Sequence, residues 1–305
     1  MQPLKIIIIT HLCDDFLRKC IHSIETSTIT AEIIVLVSND KELPAPSNIR
    51  THQFRENIGY ARAVNFAFQN YGSSPLLILN DDVVLQQDCL EKLWASYSPR
   101  QILQPEIRFY DHPQNIENTG HKLRLDGSNE AHSRGKKNFC SKNTSRLCFS
   151  GAAFLISPEI IRAVGLFDPD LSPFGEDLDY SLRSIRQGFS INVVSEALMF
   201  HKLGHSFGRY SLEKIISVES HRIQARFRSY PLFLAPLAPI STLYRYWQSR
   251  KHPLVPETRR KEAFWGTLKG ITRGYTKIPR ALRKRQTDHR KLSDWEFFEL
   301  LWRQL

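Results

Sequence analysis

Residues 4–10 (LKIIIIT) are apolar almost without a break and rich in β-branched side chains, the pattern of a strand buried on both faces. Phe16, Leu17, Cys20, Ile21 and Ile24 then recur at three- and four-residue spacing, which predicts a helix, and 33–37 predict a second buried strand. A short strand is expected over 49–54. A helix is expected over 61–71, with Ala63, Phe66, Ala67 and Asn70 on one face and Gly72 as its stop. Residues 76–79 read as a further buried strand that runs straight into Asn80, Asp81 and Asp82. Strands and helices alternating in this way predict a parallel, doubly wound sheet. Ligands of such sheets sit beyond the carboxyl ends of the strands, where 10–13, 38–40 and 80–82 converge.

After a helix expected around 89–97 the pattern loosens, and 111–146 are polar and without clear periodicity, as in a long functional loop. Order resumes over 148–157, followed by a short helix from Pro158 and a loop over 165–174. Glu176 and Asp177 open a helix with Leu178, Leu182 and Ile185 inward and Gly188 at its end. Residues 191–201 predict a last strand and 211–228 a long helix. Residues 230–244 carry no charge, but Pro231, Pro236 and Pro239 interrupt them and they fall short of the roughly 20 residues of a spanning helix, so a hairpin at an interface is expected. Over 261–275 the spacing puts Phe264, Leu268, Ile271 and Tyr275 on one face beside Lys269 and Arg273. That is either a basic amphipathic helix of the kind that lies on membranes or a stripe packed on the body.

Composition narrows the class. With 41% hydrophobic and 24% charged residues in 305, the chain is globular, which excludes wholesale disorder and a collagen-like fibre. The formal charge of +11 is uneven: residues 245–291 hold 15 Lys and Arg against 3 acids, leaving about −1 for everything else. A nearly neutral body with a basic segment suits nucleic-acid phosphates or anionic lipid headgroups. Trp247, Trp265 and Tyr275 are candidates for base stacking, but no helix-turn-helix or RNA-binding signature accompanies them, so nucleic acid is the less expected partner. Five cysteines without a C-x-x-C pair argue against a disulfide framework and a zinc site. The opening MQPLKIIIITHLCDD reads as a first strand rather than a secretory signal, so a cytoplasmic, reducing location is expected.

The adjacent carboxylates of Asp81 and Asp82 repel one another unless a cation neutralises them, and hard oxygen ligands suit Mg²⁺ or Mn²⁺ shared with a diphosphate; the plainer reading is a turn. Glu176, Asp177 and Asp179 are favoured by the helix dipole, and Asp179 can pair with Arg183 four residues on. This explains Asp179 well and Asp177 less well, and a carboxylate at the mouth of a cleft suits a general base. The facing pair of acids that a glycosidase needs is not offered by sequence neighbours. His201 ends the last strand, as Asp82 follows an earlier one, so both are expected to face one cleft. Asn57 and Gly59 precede a helix and suit a cap and a close ligand approach. Neither the Walker loop nor the Gly-x-Gly-x-x-Gly fingerprint is present, which removes support for ATPase and dehydrogenase readings.

Taken in order, these pieces resemble the family 2 glycosyltransferases of the GT-A fold, particularly their bacterial rhamnosyltransferase-like branch, from about residue 4 to residue 206. The carriers are the opening strand ending in Thr10; Asn57, Gly59, Tyr60 and Asn65; Asn80-Asp81-Asp82; Gly151-Ala152-Ala153-Phe154; Gly165 to Asp168; Phe174-Gly175-Glu176-Asp177-Leu178-Asp179; and His201, Gly204 and Ser206. The resemblance implies a Rossmann-like α/β fold, a mixed and mainly parallel sheet flanked by helices. A nucleotide-sugar-binding and catalytic domain over 1–208 would precede a basic helical extension over 209–305. By resemblance, Asp82 and His201 serve the metal, Mg²⁺ or Mn²⁺, and Asp177 is the catalytic base with Glu176 beside it. Thr10, Asn39, Asp40, Asn57, Gly59, Arg62, Asn80, Asp81 and Gly151 approach the nucleotide sugar. One departure is Ser38-Asn39-Asp40, where the family usually carries Asp-Asn after the second strand.

The implied activity is metal-dependent, inverting transfer of a sugar from a nucleoside-diphosphate donor, dTDP-rhamnose before a UDP-hexose. The acceptor would be a hydroxyl of a glycan or lipid-linked glycan in cell-surface polysaccharide synthesis, walled by 111–146 and 165–175. The expected place is the cytoplasm, peripheral on the inner membrane face through 245–291. Two alternatives are a nucleic-acid-binding protein using that basic segment and a catalytically silent subunit; the presence of Asp82, Asp177 and His201 argues against the second.

Overall fold

Strands β1 (Lys5–Thr10) and β2 (Glu32–Val37) pair in parallel, and β1 pairs in parallel on its other side with β4 (Leu76–Asn80). The computed structural model describes residues 3–39, 49–137, 144–202, 211–237, 240, 241, 244, 247 and 260–303. Strand β3 (Arg50–Gln53) extends the parallel set beyond β2. On the other side β11 (Ala153–Ile156) inserts antiparallel between β4 and β6 (Gln101–Phe109), and β12 (Ser190–His201) runs parallel to β6. Short strands β5 (Val83–Leu85), β7 (Ile116–Asn118) and β10 (Thr144–Arg146) complete this sheet at its β6–β12 side, and β8 (His121–Leu123) with β9 (Asn129–Ala131) form a separate hairpin.

The strand alternation explains the two cores. Ile6 and Ile8 face a layer containing Leu17, Cys20, Ile21 and Ile24 of α1 (Asp15–Glu25) and Leu90 and Leu93 of α3 (Cys89–Ala95). Ile7 and Ile9 face the opposite layer, where α2 (Tyr60–Tyr71), α4 (Pro158–Val164) and α5 (Glu176–Arg186) supply Val64, Phe68, Ile160, Leu178 and Leu182. Each such side chain contributes about 1.5–3 kcal/mol by leaving water. The continuous apolar run of 4–10 is therefore a strand covered on both sides, as its composition predicts.

Two expectations fail in the middle of the chain. Residues 101–109, which show no strand pattern, form the nine-residue β6 near the sheet's centre. Gln104, Pro105 and Glu106 hide it in the sequence. Pro105 lies opposite Val194, where the register with β12 slips, so its missing N–H falls at an irregularity of the ladder. The polar stretch 111–146 is likewise not one structureless loop: β7, β8, β9 and β10 lie within it.

After β12, α6 (Leu212–Ser229) is followed by a 3-10 turn (Leu232–Leu237), where the sequence suggests a hairpin, then α7 (Arg260–Thr276), α8 (Ile278–Thr287) and α9 (Asp294–Trp302). The contact face of α7 is Ala263, Gly266, Thr267, Gly270, Ile271 and Gly274; of the stripe read from the sequence, Phe264, Leu268 and Tyr275 are only half-buried. A Cβ on Gly270 would stand 2.7 Å from the Ile216 carbonyl oxygen and one on Gly274 2.9 Å from Ile223 Cβ, so small residues let α7 lie close on α6. Phe297 and Leu301 of α9 are buried in the core beside α5. Part of the basic charge also points inward: Arg285 binds Asp294, and Arg280 and Lys284 bind Asp170. No helix of the described residues is long and apolar enough to cross a membrane.

Candidate active site

The carboxyl ends of β1, β2 and β4 do converge. Thr10 donates to Asp81 Oδ2 at 2.5 Å and accepts from the Cys13 N–H, so its hydroxyl is engaged within the protein. The Asn39 amide donates to the His11 carbonyl. Ser38 donates to Asn57 Oδ1 and accepts from the Ile58 N–H, tying β2 to the turn that enters α2. Asn57 caps that turn rather than the helix, accepting from the Gly59 N–H at 2.9 Å. Gly59 itself sits at φ +77° with open space around it, so the backbone angle is what requires glycine. Arg62, in the first turn of α2, is exposed. Asp40, Gly204 and Ser206 lie outside the described residues.

Asp81 and Asp82 form a two-residue turn that takes the chain from β4, in the sheet's interior, to β5 on the end of β12. Pairing of Val83 with His201 brings Asp82 beside the imidazole. His201 Nε2 stands 3.3 Å from Asp82 Oδ1. The approach is not in line for a hydrogen bond, and Asp82 Oδ1 is a buried oxygen with no hydrogen-bond donor. Nδ1 of the same ring faces both oxygens of Glu117 at 3.0 Å. Burial works against a charge on His201, yet Asp82 and Glu117 outweigh it and lift its pKa to about 10. Burial also raises Asp81, with Thr10 opposing and Asp82 and Asp14 adding to the rise.

Glu176 and Asp177 enter α5 from a tightly built turn. Phe174 has φ +70° and Gly175 φ +155°, and a Cβ on Gly175 would lie 2.5 Å from His221 Cβ. The Asp177 carboxylate is half-buried; Oδ1 accepts from the Leu178 N–H at 2.8 Å and Oδ2 from the Gly151 N–H at 3.3 Å. Tyr60 in turn donates to the Gly151 carbonyl at 2.5 Å. Glu176 is buried, and burial first and Asp177 second push it up to about 8.

The bonding joins Asp177 to the Asp82–His201 pair by stages. Asn80 donates its N–H to Ala152, next to Gly151, at 3.0 Å. On the other side burial lowers the pKa of His121, against the pull of Asp177 and Glu117 and with a push from Arg134. Asn118 places its amide 2.7 Å from His121 Nε2. Lys214, in the first turn of α6, sits over the Phe174 ring at 4.9 Å, and its Nζ has no hydrogen bond or ion pair among the described residues. Burial and Arg134 lower its pKa while Glu117 raises it.

Glu117, His121 and Lys214 escape sequence reasoning. The first two lie in the polar stretch without periodicity, and Lys214 reads as one charge on a helix; only the register of β7 on β6 and the placement of α6 mark them.

With the geometry in hand, the comparisons are informative. The model of the family described as "Glycosyltransferase like family 2" matches residues 3–230. No curated protein matches the chain. Among solved structures, GalNAc-T7 with UDP, GalNAc and Mn²⁺ is 13% identical with a TM-score of 0.61, over 95% of this chain and 58% of that one. The chain thus spans little more than half of that structure's length. The mannosyltransferase PcManGT from Pyrobaculum calidifontis, in complex with GDP-Man and Mn²⁺, is 12% identical with a TM-score of 0.50, over 94% of this chain and 74% of that one. At such identities the likeness concerns the fold: the mixed, mainly parallel sheet flanked by helices is the GT-A arrangement.

Proposed function

We propose that this chain, which belongs to the family 2-like glycosyltransferases, moves a sugar from a nucleoside diphosphate to an acceptor hydroxyl with inversion at the anomeric carbon. The resemblance to the rhamnosyltransferase-like branch alone favours dTDP-rhamnose as donor, with a UDP-hexose next. The acceptor is a glycan or lipid-linked glycan assembled at the cytoplasmic membrane face, with 245–291 on the membrane side. Residues 1–208 carry the chemistry and bind the donor with help from Lys214 at the start of the helical extension over 209–305.

The observation that carries this reading is the donorless buried oxygen of Asp82, 3.3 Å from an imidazole whose other nitrogen is held by Glu117, at the strand ends where Asp177 also stands. Two ligands of one divalent ion lie about 3 Å apart when each bond is about 2.1 Å. Asp82 and His201 fit that spacing, and an ion there would replace the proton that Asp82 and Glu117 otherwise hold on the ring. Among the described residues no three His, Cys, Asp or Glu side chains gather to hold an ion. A hard cation that takes its remaining oxygens from a diphosphate and water suits so sparse a donor set. GalNAc-T7 and PcManGT, each captured with Mn²⁺, support Mn²⁺ or Mg²⁺. Bound there, the ion supplies neutralisation of the charge that develops on the departing diphosphate.

The protein's own groups do the rest. Asp82 and His201 would hold the ion that neutralises the diphosphate end, and Lys214 adds a cation on the side of Phe174. Asp177 takes the proton of the acceptor hydroxyl on its carboxylate, while the Leu178 and Gly151 N–H groups fix its orientation. Tyr60 holds Gly151 in place for that task. Glu176, raised to about 8 by burial and Asp177, keeps its proton near neutral pH.

A thermal-shift panel of nucleotide sugars with Mg²⁺, Mn²⁺ or chelator tests the proposal, since a ligand that binds only the native state raises its apparent stability. A shift with one nucleoside-diphosphate sugar, lost on chelation, is expected. No shift with any donor, or equal shifts with chelator, would overturn it.

A further inference from the structure

Tryptophan is distributed unevenly in this chain. Of the five, only Trp94 lies before residue 245; Trp247, Trp265, Trp295 and Trp302 are each more than half exposed. Trp295 and Trp302 belong to a continuous aromatic patch. Phe298 stands 5.5 Å from Trp295 and 5.9 Å from Trp302, and Phe233 reaches Phe298 at 5.5 Å and Trp295 at 6.2 Å. Leu232, 44% exposed, extends it along the 3-10 turn.

The patch is built on a stiff base. Phe297 and Leu301, on the other side of α9, are buried in the core, and the Arg186 guanidinium lies 4.3 Å over the Phe297 ring. Asp294 accepts from Arg186, Arg285 and the Leu232 N–H, which locks the start of α9 to the 3-10 turn. A Ser293–Glu296 capping box closes the helix start. Aromatic rings held outward on a rigid support keep apolar area in water, which is unfavourable for a protein that stays free in solution.

The surroundings state what covers them. Residues 277–291 hold seven Lys and Arg against one acid, and Lys277, Arg283, Arg290 and Lys291 are exposed. Arg290 lies 3.9 Å from Asp294, at the root of the patch. Of the acids of α9, Glu296 is turned back to the Ser293 cap, Glu299 pairs with Arg303 at 3.8 Å and Asp294 with Arg186 and Arg285. Tryptophan with flanking cations is the chemistry of a bilayer interface: the ring enters the headgroup boundary and the cations meet anionic lipid.

We propose that the patch of Leu232, Phe233, Trp295, Phe298 and Trp302 docks the protein on an anionic bilayer. The contact surface is then α9 with the 3-10 turn, not the stripe of α7 that the sequence suggests. The inference rests on the membrane side of the function above and is independent of the transfer reaction.

Co-sedimentation of the full chain with vesicles of phosphatidylcholine, alone or mixed with phosphatidylglycerol, tests it against the double variant W295A/W302A. Both side chains are exposed, so the variant keeps its fold, checked by an unchanged thermal transition. The parent is expected to bind the anionic vesicles, and the variant to lose on the order of tenfold or more in partitioning. Equal binding of parent and variant would overturn the proposal. So would a parent dimer in light scattering that the variant turns into a monomer without any vesicle binding, because the patch would then be a protein interface. Vesicle binding that follows the two tryptophans without any donor shift would uphold this inference while overturning the transferase reading.

Discussion

His201 is clamped between two acids of different origin: Asp82 Oδ1 lies 3.3 Å from Nε2, and both oxygens of Glu117 lie 3.0 Å from Nδ1. A carboxylate on the far nitrogen fixes ring orientation and tautomer of a metal-ligating histidine. Glu117→Gln is therefore expected to weaken Mn²⁺ binding by about 10- to 100-fold. Titration of the ion in the presence of donor reads this directly, and an unchanged affinity would show that Glu117 does not orient the ring.

Asp177→Asn keeps the size of the side chain and an oxygen for one of its two backbone N–H donors, but removes its basicity. Transfer should fall by about 10²–10⁴-fold with donor binding nearly unchanged. Initial rates with calorimetric donor binding separate the two, and full turnover in the variant would end the base assignment.

Burial and Asp177 hold Glu176 at about 8 against an ordinary value of 4.5. Because its folded-state pKa is the higher one, the folded protein retains a proton that the unfolded chain has lost. Its contribution is therefore full below about 4.5 and disappears as pH rises through about 8. Compared with Glu176→Gln, the parent should lose melting temperature steadily across that window. Parallel curves of Tm against pH for the two proteins would contradict the assignment.

Gly175 leaves no room for a side chain, with His221 Cβ 2.5 Å from where one would be, at φ +155°. Gly175→Ala should cost about 1–3 kcal/mol and depress transfer by displacing the entry to α5. Denaturant melts and kcat together test this; a variant as stable and active as the parent would show that the turn tolerates a side chain.

Arg228, on α6, binds Asp179 at 3.0 Å, Asp168 at 3.1 Å and Asp288 at 2.7 Å, joining α5, the 165–175 loop and the end of α8. Arg228→Met removes the partner that three acids share, two of them buried; Asp179 keeps Arg183 and Asp168 keeps Lys284, so a loss of about 3 kcal/mol is expected. A loss below about 1 kcal/mol in urea unfolding, the size of an exposed pair, would place the network outside the stability of the fold.

The legible parts of the chain are those where side-chain pattern alone decides burial. The run 4–10, the α1 spacing from Phe16 to Ile24 and the strand ending at Asn80 became β1, α1 and β4, and with them came the position of Thr10, Asp81 and Asp82. Asp179 pairs with Arg183 at 2.8 Å, as four-residue spacing on a helix suggests. By contrast β6 was illegible: Gln104 and Glu106 are buried polar residues whose partners come from elsewhere in the fold, among them Ser150, which donates to Gln104. The face of α7 was read one position away from its contacts because glycine scores as neither polar nor apolar, although close packing selects it.

By itself the sequence determined the layered α/β plan, the strand ends where acids collect and the concentration of charge after residue 245, because hydrophobic periodicity and local spacing are properties of neighbours along the chain. Only the tertiary structure decided that Glu117 grips His201, that Lys214 lies over the Phe174 ring and that α9 turns its tryptophans outward. Those relations join residues tens of positions apart through sheet register and helix docking, and no local pattern of side chains encodes them.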